Sequence, residues 1–138
     1  MTNLRQNLIF LVILFLSGAV GANEVASGTL EADFSSWGKP ALQGDWRISN
    51  VDDTFFLELE ENFKAKKAPD IKIYLSKLPQ GQISAKNADQ DTVLIHLLTS
   101  FSGELKVAIP EGVDLSEYKS LVFHCLKYQK LWGTSSIK

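Results

Sequence analysis

The 138-residue chain contains one cysteine, Cys125, and one methionine, the initiator. A lone cysteine closes no internal disulfide, so any fold must be held together by its core. Having no methionine after Met1 removes the usual weak axial ligand of a blue-copper centre. Concentrated basic charge is also missing: once Arg5 is set aside, 13 basic side chains face 16 acidic ones, with no long run of either sign. Binding to nucleic acid requires a dense cationic surface, so nucleic acid is excluded as the expected partner. Lys64, Lys66 and Lys67 form the only basic cluster, and beside Pro69 they read as a solvated loop. No Gly-x-Ser-x-Gly elbow and no Cys-x-x-Cys-His haem-attachment motif occurs, which leaves hydrolysis by a nucleophilic serine and covalent haem unsupported.

What is present begins with a leader. Arg5 precedes an apolar run from Leu8 to Leu16, followed by small residues through Ala22. This is the pattern of a secretory signal peptide over residues 1–22, with cleavage expected after Ala22 and a secreted or periplasmic product. The apolar run is shorter than the roughly 20 residues of a membrane span, so no span is expected after cleavage. About 116 residues remain, 23–138, enough for one domain with a single core.

Short alternating runs dominate this remainder. Asn23 to Gly28 reads as a poorly ordered lead-in and Thr29 to Phe34 as a weak strand. Trp46 and Ile48 fall on one face of the next run. Asn50 to Asp53 is turn chemistry, and Phe55, Leu57 and Leu59 alternate with Glu58 and Glu60, so the two runs predict a hairpin. Ile71 to Ser76 alternates again. Val93 to Leu98 is apolar on both faces and predicts a central strand. Leu105, Val107 and Ile109 form another strand, and Asp114 caps a single helical turn before Tyr118. Asn87, Asp89 and Asp91 resemble the start of a calcium loop, but the glycine and the distal glutamate are missing and the stretch reads as a solvated connection. Seven to eight short strands without a sustained helical period predict an all-β, antiparallel β-sandwich.

The last strand holds the chemistry. Leu121-Val122-Phe123-His124-Cys125-Leu126 is apolar on both faces and predicts a strand buried on both sides, with Leu121, Phe123 and Cys125 on one face and Val122, His124 and Leu126 on the other. For Tyr128 and Trp132 to pack with Cys125 as the next anchors, the strand must bulge or end near Leu126-Lys127. Gly133 marks a turn or a close backbone approach.

The series of Gly28 and Phe34, the Trp46 strand opened by Gly44, Ala68-Pro69-Asp70 leading into Ile71 to Ser76, Gly103 to Pro110, and Tyr118 to Cys125 with Tyr128 and Trp132-Gly133 resembles the DM13 domain. The resemblance covers nearly all of the chain after the leader. It implies an extracytoplasmic β-sandwich suspected of electron transfer, whose cysteine, by position Cys125, acts as a bare redox thiol or as the ligand of a prosthetic group. The family usually has tryptophan before that cysteine, where this chain has His124.

Read from the residues alone, Cys125 is better accounted for as a buried, inert group, since free cysteine packs as a small hydrophobe; its position in the family motif brings the reactive reading level with it. No cofactor follows from the sequence. A haem would be non-covalent, through the thiolate or a histidine; copper is less well provided for, because His124 and Cys125 point to opposite faces and only His96 remains. One cysteine and two histidines fall one ligand short of a closed zinc site. Two functions are expected: electron transfer through Cys125, with Phe123, Tyr128 and Trp132 shaping its pocket and an unidentified redox protein as partner, or a non-catalytic extracytoplasmic binding or adhesion module in which Cys125 fills core volume.

Overall fold

The computed structural model describes residues 21–34 and 38–137. The expected leader lies almost wholly outside them, as does Trp37. The described chain forms two antiparallel sheets packed face to face. One has the order β1-β4-β5-β9: β1 (Asn23–Thr29), β4 (Asp45–Val51), β5 (Thr54–Leu59) and β9 (Leu105–Ala108). The other has the order β2-β11-β10-β7-β8: β2 (Glu31–Ala32), β11 (Lys130–Ser136), β10 (Ser120–Cys125), β7 (Ile71–Ser76) and β8 (Thr92–Leu97). A two-residue pair, β3 (Leu42–Gln43) with β6 (Lys64–Ala65), adds a third small ladder. Eight of these strands have four or more residues, so the expected all-β sandwich stands.

The alternating runs fold as their patterns require. Trp46, Ile48, Leu57 and Leu59 are buried inside the β4–β5 hairpin. Its two-residue loop, Asp52-Asp53, has φ of 49° and 64°, the left-handed pair that matches the twist of a tight hairpin. On the outer face, Arg47 bonds Glu58 at 2.9 Å and Glu60 at 3.2 Å, and Lys106 lies 3.8 Å from Glu58. The glutamates of β5 are therefore cross-strand partners of cations, not a catalytic pair. Asp114 caps a 3₁₀ turn, Leu115–Glu117, through the backbone N–H of Ser116.

Three expectations need correction. Residues 23–28 are not a loose lead-in: they form most of β1, paired along β4. The inner face of β1 is Ala26 and Gly28, and a Cβ at Gly28 would come within 3.0 Å of the Trp46 ring. Small residues let the strand lie over that ring, and a strand with so little apolar content gives no periodic signal.

Val93 to Leu98 is not central. It supplies β8, at the edge of its sheet, with Leu94 47% and Leu97 43% exposed. Its register against β7 slips between Ile73 and Tyr74, leaving Ile95 as the extra residue. The slip lets both Val93 and Ile95 pack against the core while Leu94 and Leu97 face outward.

Nor does the chain finish on the cysteine strand, because it turns after Cys125 and returns as β11. Gly133 sits inside that strand. A Cβ there would overlap the Glu31 carbonyl oxygen of β2, so of the two expectations for this glycine the close backbone approach is the one realised.

Candidate functional site

Cys125 is the last residue of β10, opposite Ile71 on one side and Lys130 on the other. Its free thiol is 0% exposed, in the main core cluster with Phe63, Ile71, Leu98, Phe123 and Trp132. The rings of Phe63 and Phe123 lie 6.1 Å apart there. As alternation predicted, Leu121, Phe123 and Cys125 share the core face. Trp132 is the extra residue of a bulge in β11, where the register slips from Phe123↔Gly133 to His124↔Leu131. The bulge puts Trp132 into the core with Cys125, and its Nε1 donates to the Lys66 carbonyl oxygen at 2.9 Å. That bond links the buried ring to the residue immediately after β6.

Tyr128 does not join them. It is 52% exposed in the turn between β10 and β11, because the strand ends at Cys125 and the residues that follow are used in reversing direction. Gln129 completes that reversal with φ of 48°. Asp70 fastens the turn: its carbonyl accepts from Leu126 N–H at 3.3 Å and its carboxylate from Lys127 N–H at 3.0 Å. The thiol thus lies one residue inside an exposed turn that gives two hydrogen bonds to Asp70 and closes on itself through the Gln129 N–H to the Leu126 carbonyl at 3.2 Å. Asp70 was visible beforehand only as part of the Pro69-Asp70 motif.

These surroundings do not fit a prosthetic group. An axial thiolate must face an open slot, whereas Cys125 is enclosed by apolar side chains. Clefts of about 340 and 480 Å³ open on the surface, and Cys125 lines neither. His96, on β8, lies opposite Ile73, and His124 is on the outer face of β10. Among the described residues no three His, Cys, Asp or Glu side chains cluster. Asn87 is occupied in stitching its own loop, accepting from Ser84 N–H and donating to the Gln82 carbonyl. No helix among the described residues is long and apolar enough to cross a membrane.

The group that spacing did not single out is the His124 ring. It is 1% exposed, beside a second small core of Tyr74, Ala88, Val122 and Leu131, with Ile83 and Ala85 of the loop after β7 packed against it. Neither ring nitrogen has a hydrogen-bond partner of acceptable geometry. Burial holds its pKa below the ordinary histidine value. Asp89, the Ala85 main chain and Asp70 favour the charged ring and Lys72 opposes it, but they do not outweigh the lost hydration. The ring is therefore neutral when folded.

Below the unfolded-state value of about 6.5, the unfolded chain takes up a proton that the folded chain refuses, so stability falls as pH drops toward the lowered folded value. The slope for one proton approaches about 1.4 kcal/mol per pH unit. Thermal unfolding between pH 7.5 and 5 should show this slope in the parent and lose it in His124→Phe. Identical slopes would remove His124 from the account.

Comparison with known proteins agrees with the architecture. The family described as Electron transfer DM13 matches residues 33–137, well over half of the chain. No curated protein and no solved structure matches. With an all-β sandwich ending in the cysteine hairpin and a family match that runs from Asp33 through that hairpin, the chain belongs to the electron transfer DM13 family.

Proposed function

We propose that this domain transfers electrons outside the cytoplasm and that Cys125 is its redox residue, reached when the turn between β10 and β11 opens. The observation that carries this reading is the position of the thiol at the end of β10, next to exposed Leu126 and under a turn tied to the rest of the sheet through Asp70 and closed on itself by the Gln129 N–H to the Leu126 carbonyl. Reactive thiols occur in accessible, electropositive surroundings, and Cys125 at rest has neither. Opening the turn supplies access, and the basic residues nearest the sulfur are Lys130, its partner across the hairpin, and Lys127, two residues on in sequence. Local openings of this kind need much less free energy than global unfolding. The partner is an extracytoplasmic redox protein, and the signal pattern of residues 1–22 supports that location.

A second reading has its own support. Complete burial in an apolar cluster is what a core cysteine would show, and a binding or adhesion module without redox chemistry would need nothing more from it.

Thiol labelling under native conditions separates the two. If Cys125 is reached through the turn, labelling proceeds without global unfolding and accelerates at least tenfold in Asp70→Ala, which removes the one carboxylate bond from the Lys127 N–H, worth about 1.5–3 kcal/mol, and keeps the main-chain bond to Leu126. Electron exchange with a redox dye is then lost in Cys125→Ser while the fold survives. Labelling that tracks only global unfolding, with electron exchange intact in Cys125→Ser, would leave the cysteine a packing residue. Sequencing the amino terminus of the mature protein tests the leader: a start at Asn23 is expected, and a retained Met1 would remove the case for export.

A further inference from the structure

A cleft of about 340 Å³ lies along β3 and β6, walled by Lys39, Lys64 and Lys66 and floored by the apolar Ala41, Leu42 and Ala65. Among the described residues that line it there is no carboxylate, although the whole chain carries a net charge of −2. Lys39 and Lys64 have no ion-pair partner among the described residues. Elsewhere on the surface, Lys72, Lys77 and Lys106 are each set against a carboxylate. Lys67, Lys86, Lys119 and Lys127 also lack an ion pair among the described residues, but Lys39 and Lys64 line one cleft together, on segments joined by the β3–β6 pairing and by the Lys66 N–H that donates to the Ala41 carbonyl at 2.8 Å.

From this we infer that the β3–β6 cleft binds a flat organic anion, with Lys39 and Lys64 receiving its phosphate or carboxylate and Ala41, Leu42 and Ala65 supporting its apolar body. The volume suits a small molecule, whose sites run from about 300 to 1,000 Å³, mostly apolar with a few polar groups that fix orientation. A protein partner is a poorer fit, because a stable interface needs about 800 Å² from each side and this surface is a four-residue ladder with its flanks. The position of the cleft has a consequence for the proposed electron transfer. Lys66 lines the cleft, and its carbonyl accepts the indole N–H of Trp132, which shares the core cluster of Cys125. A ligand seated on β6 is therefore one residue from a ring packed in the same cluster as the thiol. That the anion is redox-active rests on the electron-transfer reading; that an anion binds does not.

Flavin mononucleotide is a suitable probe, with riboflavin as the same ring system without the phosphate. Fluorescence titration of the full chain should show saturable binding of the mononucleotide, at least tenfold tighter than riboflavin, weakened by added salt and displaced by inorganic phosphate. The double variant Lys39→Gln, Lys64→Gln should lose at least tenfold in affinity with an unchanged melting temperature. Lys66 is left unchanged so that the segment accepting the Trp132 indole N–H is not disturbed. Equal affinity for the two flavins, no saturable binding, or affinity unchanged in the double variant would each overturn the site. Cys125→Ser separates this proposal from the redox one: it should bind the mononucleotide as the parent does, whatever happens to its electron exchange.

Discussion

Gly133→Ala should cost about 3 kcal/mol or more, the upper part of the range for an overpacked interior, although a single methyl group is added. The reason lies in what the missing side chain admits. Gly133 pairs with Ala32 in the two-residue ladder that joins β2 to β11. A Cβ at this position would overlap the Glu31 carbonyl oxygen and come within 2.8 Å of the Leu42 side chain. Leucine can rotate away, but a carbonyl already committed to a strand cannot move without moving the strand. The substitution must therefore push β2 off β11, together with the Asp33 N–H that donates to the Trp132 carbonyl at 3.0 Å. Denaturant unfolding reads the loss directly. A cost under 1 kcal/mol would mean that β2 is a loosely attached flank and that the close approach does not matter.

Trp132→Ala should lose about 3–5 kcal/mol, the range for deleting a large aromatic from a packed core. The ring is fully buried, and its removal leaves a cavity between the cysteine strand and the segment around β6. Trp132→Phe isolates the polar part of the effect. It keeps most of the apolar volume but deprives the Lys66 carbonyl of its donor, for an expected loss of about 1–3 kcal/mol. Tyr128→Ala, four residues earlier, should stay within about 0.5 kcal/mol, because the ring stands mostly in solvent. If Tyr128→Ala proved as costly as Trp132→Ala, the hairpin register would be wrong. The same series bears on function, since losing the Trp132 bond to the Lys66 carbonyl, just after β6, frees one wall of the enclosure around Cys125, and native-state labelling of the thiol should quicken in Trp132→Phe.

The outer-face histidine illustrates why some of the site could not be read in advance. Alternation assigned His124 to the face opposite Cys125, and the packing agrees: Cys125 lies in the main core and Val122, on the face of His124, in the smaller one. The apolar character of both faces of Leu121 to Leu126 predicted that this face too would be dry, as it is, but not what covers it: the loop after β7, whose Ala85 and Ala88 come down over the sheet. Nothing in a polar stretch such as residues 84–91 announces that it will cover a strand. The lysine cleft was hidden for a related reason. Lys64, Lys66 and Lys67 read as a solvated loop, and they are exposed, but Lys39 joins Lys64 and Lys66 only because β3 pairs with β6 and the Lys66 N–H donates to the Ala41 carbonyl.

By itself the sequence determined the β-sandwich, the β4–β5 hairpin, the inward face of the cysteine strand and the family. These depend on period-two alternation, turn residues and short motifs, which act over a few neighbouring positions and survive in any arrangement of the strands. Tertiary structure alone decided that β8 lies at an edge, that β1 is a strand, that Trp132 and not Tyr128 joins the thiol, and that the thiol is sealed. Each of these turns on a register slip or on a contact between distant segments. A one-residue bulge moves a side chain from one face to the other, and local composition gives no sign of which residue will be the extra one.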